Sequence, residues 1–219
     1  MTAALATPIS QIELAPGSAI RIAGVTWEGY VALLKELGDS RRTRIAYDDG
    51  VLEIRMPSQA HEAANRVLAT IGLTLAEEFG FEFNDLGSMT INRFDLSKGI
   101  EPDSCFYIQN ARPGQGLGET IPDDMPPDLA LEVDIANRSD SKLSIYQAIG
   151  VAEVWLYQRE TVNIKWLADG QYVNFPNSRA FPAVSAEQLN QWLGLRKTGT
   201  DLTVVRAVRL FCRDRSRNL

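Results

Sequence analysis

The feature that most limits how this chain can fold is the run Asp128-Leu129-Ala130-Leu131-Glu132-Val133-Asp134-Ile135. It is too apolar for a strand with one face in water, which would alternate polar and apolar residues along its length. A strand covered on both faces reads this way, so the run predicts a central strand of a sheet. Glu132 and Asp134 share one face of that strand by its period of two, with Leu131 and Val133 on the other.

The flanking sequence supplies the rest of a sheet and its helices. Thr26 caps a predicted helix to about Leu37, ended by Gly38 and Asp39. Arg44–Tyr47 and Val51–Met56 form a predicted hairpin around Asp48-Asp49-Gly50, because Asp-Gly tolerates the positive φ angles of a tight turn. Pro57-Ser58 opens the longest helix, in which Ala64, Val67, Leu68, Ile71, Leu75 and Phe79 recur at helical spacing until Gly80. Phe81–Asn84, Ser88–Arg93 and Glu101–Ile108 read as strands, and a Pro- and Gly-rich loop follows to Pro127. Ser139 or Asp140 caps a helix to Ile149. Strands follow at Glu153–Tyr157, Thr161–Leu167 and Gln171–Phe175, the last two turning at Asp169-Gly170. Ser185 opens a helix to Leu193, and Thr200–Arg213 reads as another. No repeat or linker divides the chain. The expectation is one α+β domain over residues 20–199, a mixed β-sheet flanked by helices, with a mobile lead-in at 1–19 and a helical extension at 200–219.

Composition narrows the function classes. With 219 residues, 45% of them hydrophobic and 23% charged, the chain reads as a soluble globular protein. It has no apolar run of membrane-spanning length and no secretory signal, and a cytoplasmic setting is the simplest expectation. Two cysteines, Cys105 and Cys212, with one histidine make neither a disulfide framework nor a Cys/His zinc site. A net charge of −6 argues against a protein that coats nucleic acid, although arginines gather at 41–44 and 206–217. It leaves room for a metal-dependent enzyme, since the ion itself supplies positive charge.

Asp103, in the strand expected before Asp128–Ile135, shares its face with Cys105 and Tyr107. Adjacent strands would bring Asp103 and Glu132 close together, which is costly unless a cation bridges them or one takes a proton. Mg²⁺ suits such a pair, binding one or two carboxylates, waters and phosphate oxygens. The bland alternative is a solvated rim. Lys142 stands at the start of the next helix with Tyr146 one turn on, where an ammonium could favour hydroxide formation and offset charge on a phosphorane. A surface lysine there would oppose the helix dipole at a cost below ~1 kcal/mol. Cys105 reads as a small buried apolar residue, and Trp155, Trp166 and Trp192 as core or dimer-surface aromatics.

A set of phrases over Ile45 to about Trp192 extends this reading. They are Asp49-Gly50-Val51-Leu52-Glu53-Ile54, Met56-Pro57-Ser58 with His61-Glu62, Gly87-Ser88, Gly99 through Tyr107, Pro126 through Asp134, Lys142 to Tyr146 and Gly150 through Trp155. In this order they resemble a restriction-endonuclease-like (Uma2-type) family within the PD-(D/E)XK nuclease superfamily. The resemblance implies a restriction-endonuclease-like fold, and a Mg²⁺-dependent endonuclease (Mn²⁺ substituting) acting on DNA. Pro102-Asp103 would be the PD element and Glu132 the (D/E) element, together the metal ligands. The usual lysine two positions after the acid is replaced by Asp134, and Lys142 on the following helix stands where the family supplies it. Asp134 is then a third ligand or an outward acid. Glu62, His61 and Glu53 are accessory candidates, against a role for His61 and Glu62 at the helix start alone. A homodimer with two sites facing two strands fits such folds. Two other readings stay open: a catalytically inactive binding protein with a nuclease fold, and a structural dimer with incidental carboxylates.

Overall fold

The structure, a computed structural model, describes residue 9 and residues 12–38, 41–135 and 140–216. In chain order the elements are β1 (Ala19–Ala23), α1 (Trp27–Leu37), β2 (Arg44–Asp48), β3 (Val51–Arg55), α2 (Gln59–Phe79), β4 (Asn84–Asp85), β5 (Ile91–Arg93), β6 (Lys98–Ile100), β7 (Ser104–Tyr107), β8 (Leu129–Asp134), α3 (Asp140–Ile149), β9 (Glu153–Gln158), β10 (Thr161–Ala168), β11 (Gln171–Phe175), α4 (Ala186–Leu195) and α5 (Asp201–Ser216). The α+β class stands. No helix among the described residues is long and apolar enough to cross a membrane. Most of the expected lead-in, and Asp39 and Ser139 as helix-end residues, lie outside the described residues.

Instead of one sheet there are two, ordered β1-β3-β2-β6-β5 and β11-β10-β9-β8-β7-β4. The larger is mixed: β8 and β9 run parallel, while its other pairs are antiparallel. The expected strand from Glu101 to Ile108 is divided by this arrangement. The Glu101 N–H bonds to the Ile45 carbonyl of the small sheet, whereas the Asp103 N–H bonds to the Leu131 carbonyl of the large one. Pro102 lies between them and has no N–H to continue either ladder. The chain changes sheets there, and Asp103 is left at the junction. Of two other expected strands, Phe81–Asn84 gives way to Asn84–Asp85, with Phe83 stacked on Phe106 at 5.1 Å, and Ser88–Arg93 shortens to Ile91–Arg93. β1 was not expected; its Ile20 and Ile22 pack against the small-sheet core.

β8 is an interior strand, and its residues from Leu129 to Val133 are at most 1% exposed. Leu129 and Leu131 pack with Leu68, Ile71 and Leu75 of α2 and with Trp192 and Val208 of α4 and α5. On the opposite face Ala130 packs with Ile145, Tyr146 and Ile149 of α3. That two-sided cover is the physical reason for the apolar run, and it places Glu132 on the α3 side.

One helix cap and one tight turn fix the elements that reach the sheet junction. Ser58 Oγ accepts the His61 N–H at 3.2 Å, starting α2 beside the end of β3. The β2–β3 turn at Asp49-Gly50 has φ of 48° and 82°, so both central residues are left-handed and the hairpin is tight. It aligns Arg44 opposite Arg55 at the open end of the pair.

Candidate active site

The register of β7 with β8, Ser104 opposite Leu131, carries Asp103 opposite Glu132 when extended by one pair. Their carboxylates converge on a residue that sequence reasoning passed over. Nη2 of Arg55, the last residue of β3, lies 2.8 Å from Asp103 Oδ1 and 3.3 Å from Glu132 Oε1. Its Nη1 donates to the Val133 carbonyl at 2.9 Å and lies 2.9 Å from His61 Nε2. Of the two ways of relieving the acid pair, a bridging cation or a proton, the structure shows a cation, a guanidinium from the other sheet.

Each carboxylate has further partners. Asp103 Oδ2 accepts the Val133 N–H at 2.7 Å and lies 3.1 Å from His61 Nε2. Lys142 Nζ donates to Glu132 Oε1, and the Tyr146 hydroxyl donates to Oε2 at 2.9 Å. Lys142 is buried, which an exposed lysine at a helix start would not be. Lys142 and Tyr146 stand one helical turn apart, and so both reach the same carboxylate. Asn65 of α2 ties the helix to this junction: its Nδ2 donates to the Asp103 carbonyl at 3.1 Å, and its Oδ1 accepts from Ser104 Oγ at 3.0 Å.

Electrostatics follow from these contacts. Burial alone would raise the Asp103 carboxyl, but the Arg55 charge and the His61 bond outweigh it and hold the group at about 2, below the ordinary 3.8. Burial would lower the Arg55 guanidinium, and Glu132 and Asp103 reverse this and raise it. Burial, followed by the charges of Glu132 and Asp103, pushes the Tyr146 phenol well above its ordinary value, so it serves as a hydrogen-bond donor. The Cys105 thiol, buried in β7, is pushed up to about 12 chiefly by burial and is no thiolate at neutral pH.

Among the expected site residues, Asp103, Glu132, Lys142 and His61 meet at this junction. Glu62 does not: its Oε1 lies 3.5 Å from Arg44 Nη2, with its side chain 39% exposed. Residues 61 and 62 of a helix diverge by about 100° around its axis, so only one can face the acids. Glu53 is buried on β3 beside Lys142 in a small cavity of 180 Å³, with Oε2 3.8 Å from Arg21 Nε. Asp134 is buried as well, and its Oδ2 has no hydrogen-bond partner among the described residues. Arg55 and Asn65 were missed. Their only sequence signal was position, a charged residue at the end of a strand and a polar one on the apolar stripe of α2.

Among the described residues no three His, Cys, Asp or Glu side chains gather as a metal-holding cluster. The donor set nonetheless fits Mg²⁺, which takes one or two carboxylates and completes its shell with water. Asp103 Oδ1, Glu132 Oε1 and the Val133 carbonyl already converge on one cationic group, and Asp103 is ionised far below neutral pH. Beside the junction, Arg41, Thr43, Arg44, Ser88, Thr90 and Glu101 line a cleft of about 440 Å³. Glu101 Oε1 accepts from Arg41 and, at 2.8 Å, from Thr90, while its Oε2 accepts the Ile45 N–H at 2.9 Å.

The chain is similar to known proteins in family and in fold. The family model described as "Uma2: Putative restriction endonuclease" matches residues 27–204. A crystal structure from Anabaena variabilis, described as a putative nuclease belonging to DUF820, superposes with a TM-score of 0.52 at 17% identity. The match covers 77% of this chain and 99% of that one, a likeness of fold. No curated protein matches the chain.

Proposed function

This chain belongs to the Uma2 family, described as a putative restriction endonuclease, and from that premise we propose that it is a Mg²⁺-dependent endonuclease hydrolysing phosphodiester bonds of DNA. The observation that carries the reading is the convergence of Asp103 and Glu132 on one cationic nitrogen, with the Lys142 ammonium on Glu132. Asp103, Glu132 and the Val133 carbonyl would hold the ion. When bound, it would lower the pKa of a water and neutralise phosphate charge.

The chain's own groups set up the rest. The Val133 N–H and His61 orient Asp103, and the Tyr146 hydroxyl fixes the Glu132 rotamer. Lys142, buried against Glu132, offers a positive charge where negative charge grows during attack on phosphorus. It reaches the acid from the following helix, so Asp134 in the usual lysine position does not empty that role. Arg41 and Arg44 in the adjoining cleft suit the phosphates of a strand leading to the junction, even though the whole chain is acidic.

The test is Mg²⁺-dependent cleavage of supercoiled plasmid DNA. Asp103→Ala should abolish it together with metal binding. Lys142→Ala should keep metal binding and slow cleavage by ~10²–10³, the usual worth of one preorganised electrostatic group. One observation favours a second reading, a nuclease fold kept as a binding protein: Arg55 and Lys142 already neutralise both acids without a metal. Absence of cleavage on plasmid, single-stranded DNA and RNA at saturating Mg²⁺ would select it.

A further inference from the structure

Arg55 is an imperfectly satisfied resident of its site. Its Nε is buried without a hydrogen-bond partner among the described residues, as is Nδ1 of His61. His61 Nε2 faces both an Arg55 N–H, 2.9 Å away, and Asp103 Oδ2, 3.1 Å away. A single ring nitrogen can accept from the first or donate to the second, not both. An arginine held permanently for structure normally uses its whole fork, and leaving buried donors unmade is costly. The other end of the guanidinium is well served, by Asp103 Oδ1, Glu132 Oε1 and the Val133 carbonyl. Those are three oxygen ligands of the kind a hard divalent ion takes, with water completing the shell.

We propose that Arg55 is an exchangeable counter-cation: its guanidinium occupies the metal seat while no metal is bound, and a divalent ion binds by displacing it. The proposal rests on the reading of Asp103 and Glu132 as metal ligands. A guanidinium and a divalent ion cannot both occupy the point on which Asp103 Oδ1, Glu132 Oε1 and the Val133 carbonyl converge, because they would overlap there and repel in a buried site. Arg55 thereby keeps the two acids neutralised and folded without metal, and it sets a threshold of metal concentration below which the site stays closed. Its place at the end of β3, with its side chain 13% exposed, gives it a route toward solvent without unfolding the strand.

The experiment is calorimetric titration of Mn²⁺ alone into wild type, Arg55→Gln and Arg44→Gln, without nucleic acid. Arg44 is a neighbouring arginine, opposite Arg55 in the hairpin, that touches neither acid of the pair, so it reports the general effect of removing a nearby charge. The expected result is that Arg55→Gln binds Mn²⁺ at least tenfold more tightly than wild type, while Arg44→Gln changes affinity by no more than about twofold. Arg55→Lys serves if the glutamine variant does not fold. A point charge cannot fork across three oxygens, so it too should bind Mn²⁺ more tightly than wild type. A second readout follows the Arg55 guanidinium nitrogens by NMR in Mg²⁺. Their ordered signals should collapse to solvent-averaged ones as the ion binds. Wild-type binding that neither variant tightens, or Arg55 signals unchanged at saturating Mg²⁺, overturns the exchange while leaving the ligand assignment intact. Binding in none of the proteins overturns both.

Discussion

The charge balance of the buried junction predicts a non-additive pair of mutations. Asp103 and Glu132 are the acids, Arg55 and Lys142 the bases, and the side chains of Glu132 and Lys142 are 1% and 7% exposed. Lys142→Met keeps the length of the side chain and removes only the ammonium, leaving one buried negative charge in excess. Breaking a buried pair in this way costs about 3–5 kcal/mol. Glu132 retains the Tyr146 hydroxyl at 2.9 Å and Arg55 at 3.3 Å, so the loss should fall at the lower end, about 3 kcal/mol. Glu132→Gln leaves the buried Lys142 ammonium without its paired carboxylate, and by the same reasoning costs about 3 kcal/mol. The double variant restores balance, with Arg55 facing Asp103 alone, and replaces two buried charges with neutral groups. Its cost should sit well below the sum of the singles, with a coupling of about 2–3 kcal/mol. The assay is urea unfolding at pH 7 with a chelator present, comparing midpoints at constant slope. Additivity within about 0.5 kcal/mol would refute the reasoning, because independent side chains facing water add in that way.

Leu131→Ala, at a fully buried site of β8 packed against α2, should cost about 2–5 kcal/mol in the same assay, and a loss below about 1 would contradict a central strand. Asp103 at about 2, against 3.8 for an ordinary carboxyl, stabilises the fold fully above pH 4 and loses that contribution as pH falls toward 2. The difference is about 2 kcal/mol, and Asp103→Asn should flatten this part of the acid-unfolding curve; equal pH slopes in the two proteins would sink it. Gly99→Ala on β6 should destabilise by about 1–3 kcal/mol, because a Cβ there meets the Tyr30 hydroxyl and Asn92 Oδ1, which are hydrogen-bonded to each other at 2.8 Å. A thermal melt matching wild type would show that this pair gives way freely.

What the sequence made legible depended on local rules. The β2–β3 turn is announced by Asp49-Gly50, and the starts of α1, α2 and α4 by Thr26, Ser58 and Ser185, whose side chains cap them. The burial of β8 is written in its composition, and the approach of Lys142 to Glu132 follows from a helix that begins just after the strand. β1 escaped because a five-residue strand with only two large apolar residues carries little periodic signal. The β9–β10 turn places Arg159 and Glu160 at φ of 51° and 59°, a conformation that residue identity alone does not announce. The division into two sheets escaped because Pro102 reads as part of a strand unless its missing N–H is counted against both ladders.

The same division explains why the acid pair was legible and its cation was not. Like charges on adjacent strands call for a bridging cation or a proton on one of them, so Asp103 and Glu132 point to such a partner from their own positions. Which group supplies it depends on the angle between two sheets, and no periodicity within β3 encodes that angle. Read locally, Arg55 is a strand end opposite another arginine, Arg44, an arrangement suited to solvent. The switch of sheets at Pro102 turns that end inward, bringing a small-sheet guanidinium onto the carboxylates of the large sheet. Its burial is affordable only because the acids are already there, and theirs only because it is. The cluster is therefore a property of the junction, and its parts stand or fall together when either sheet is displaced.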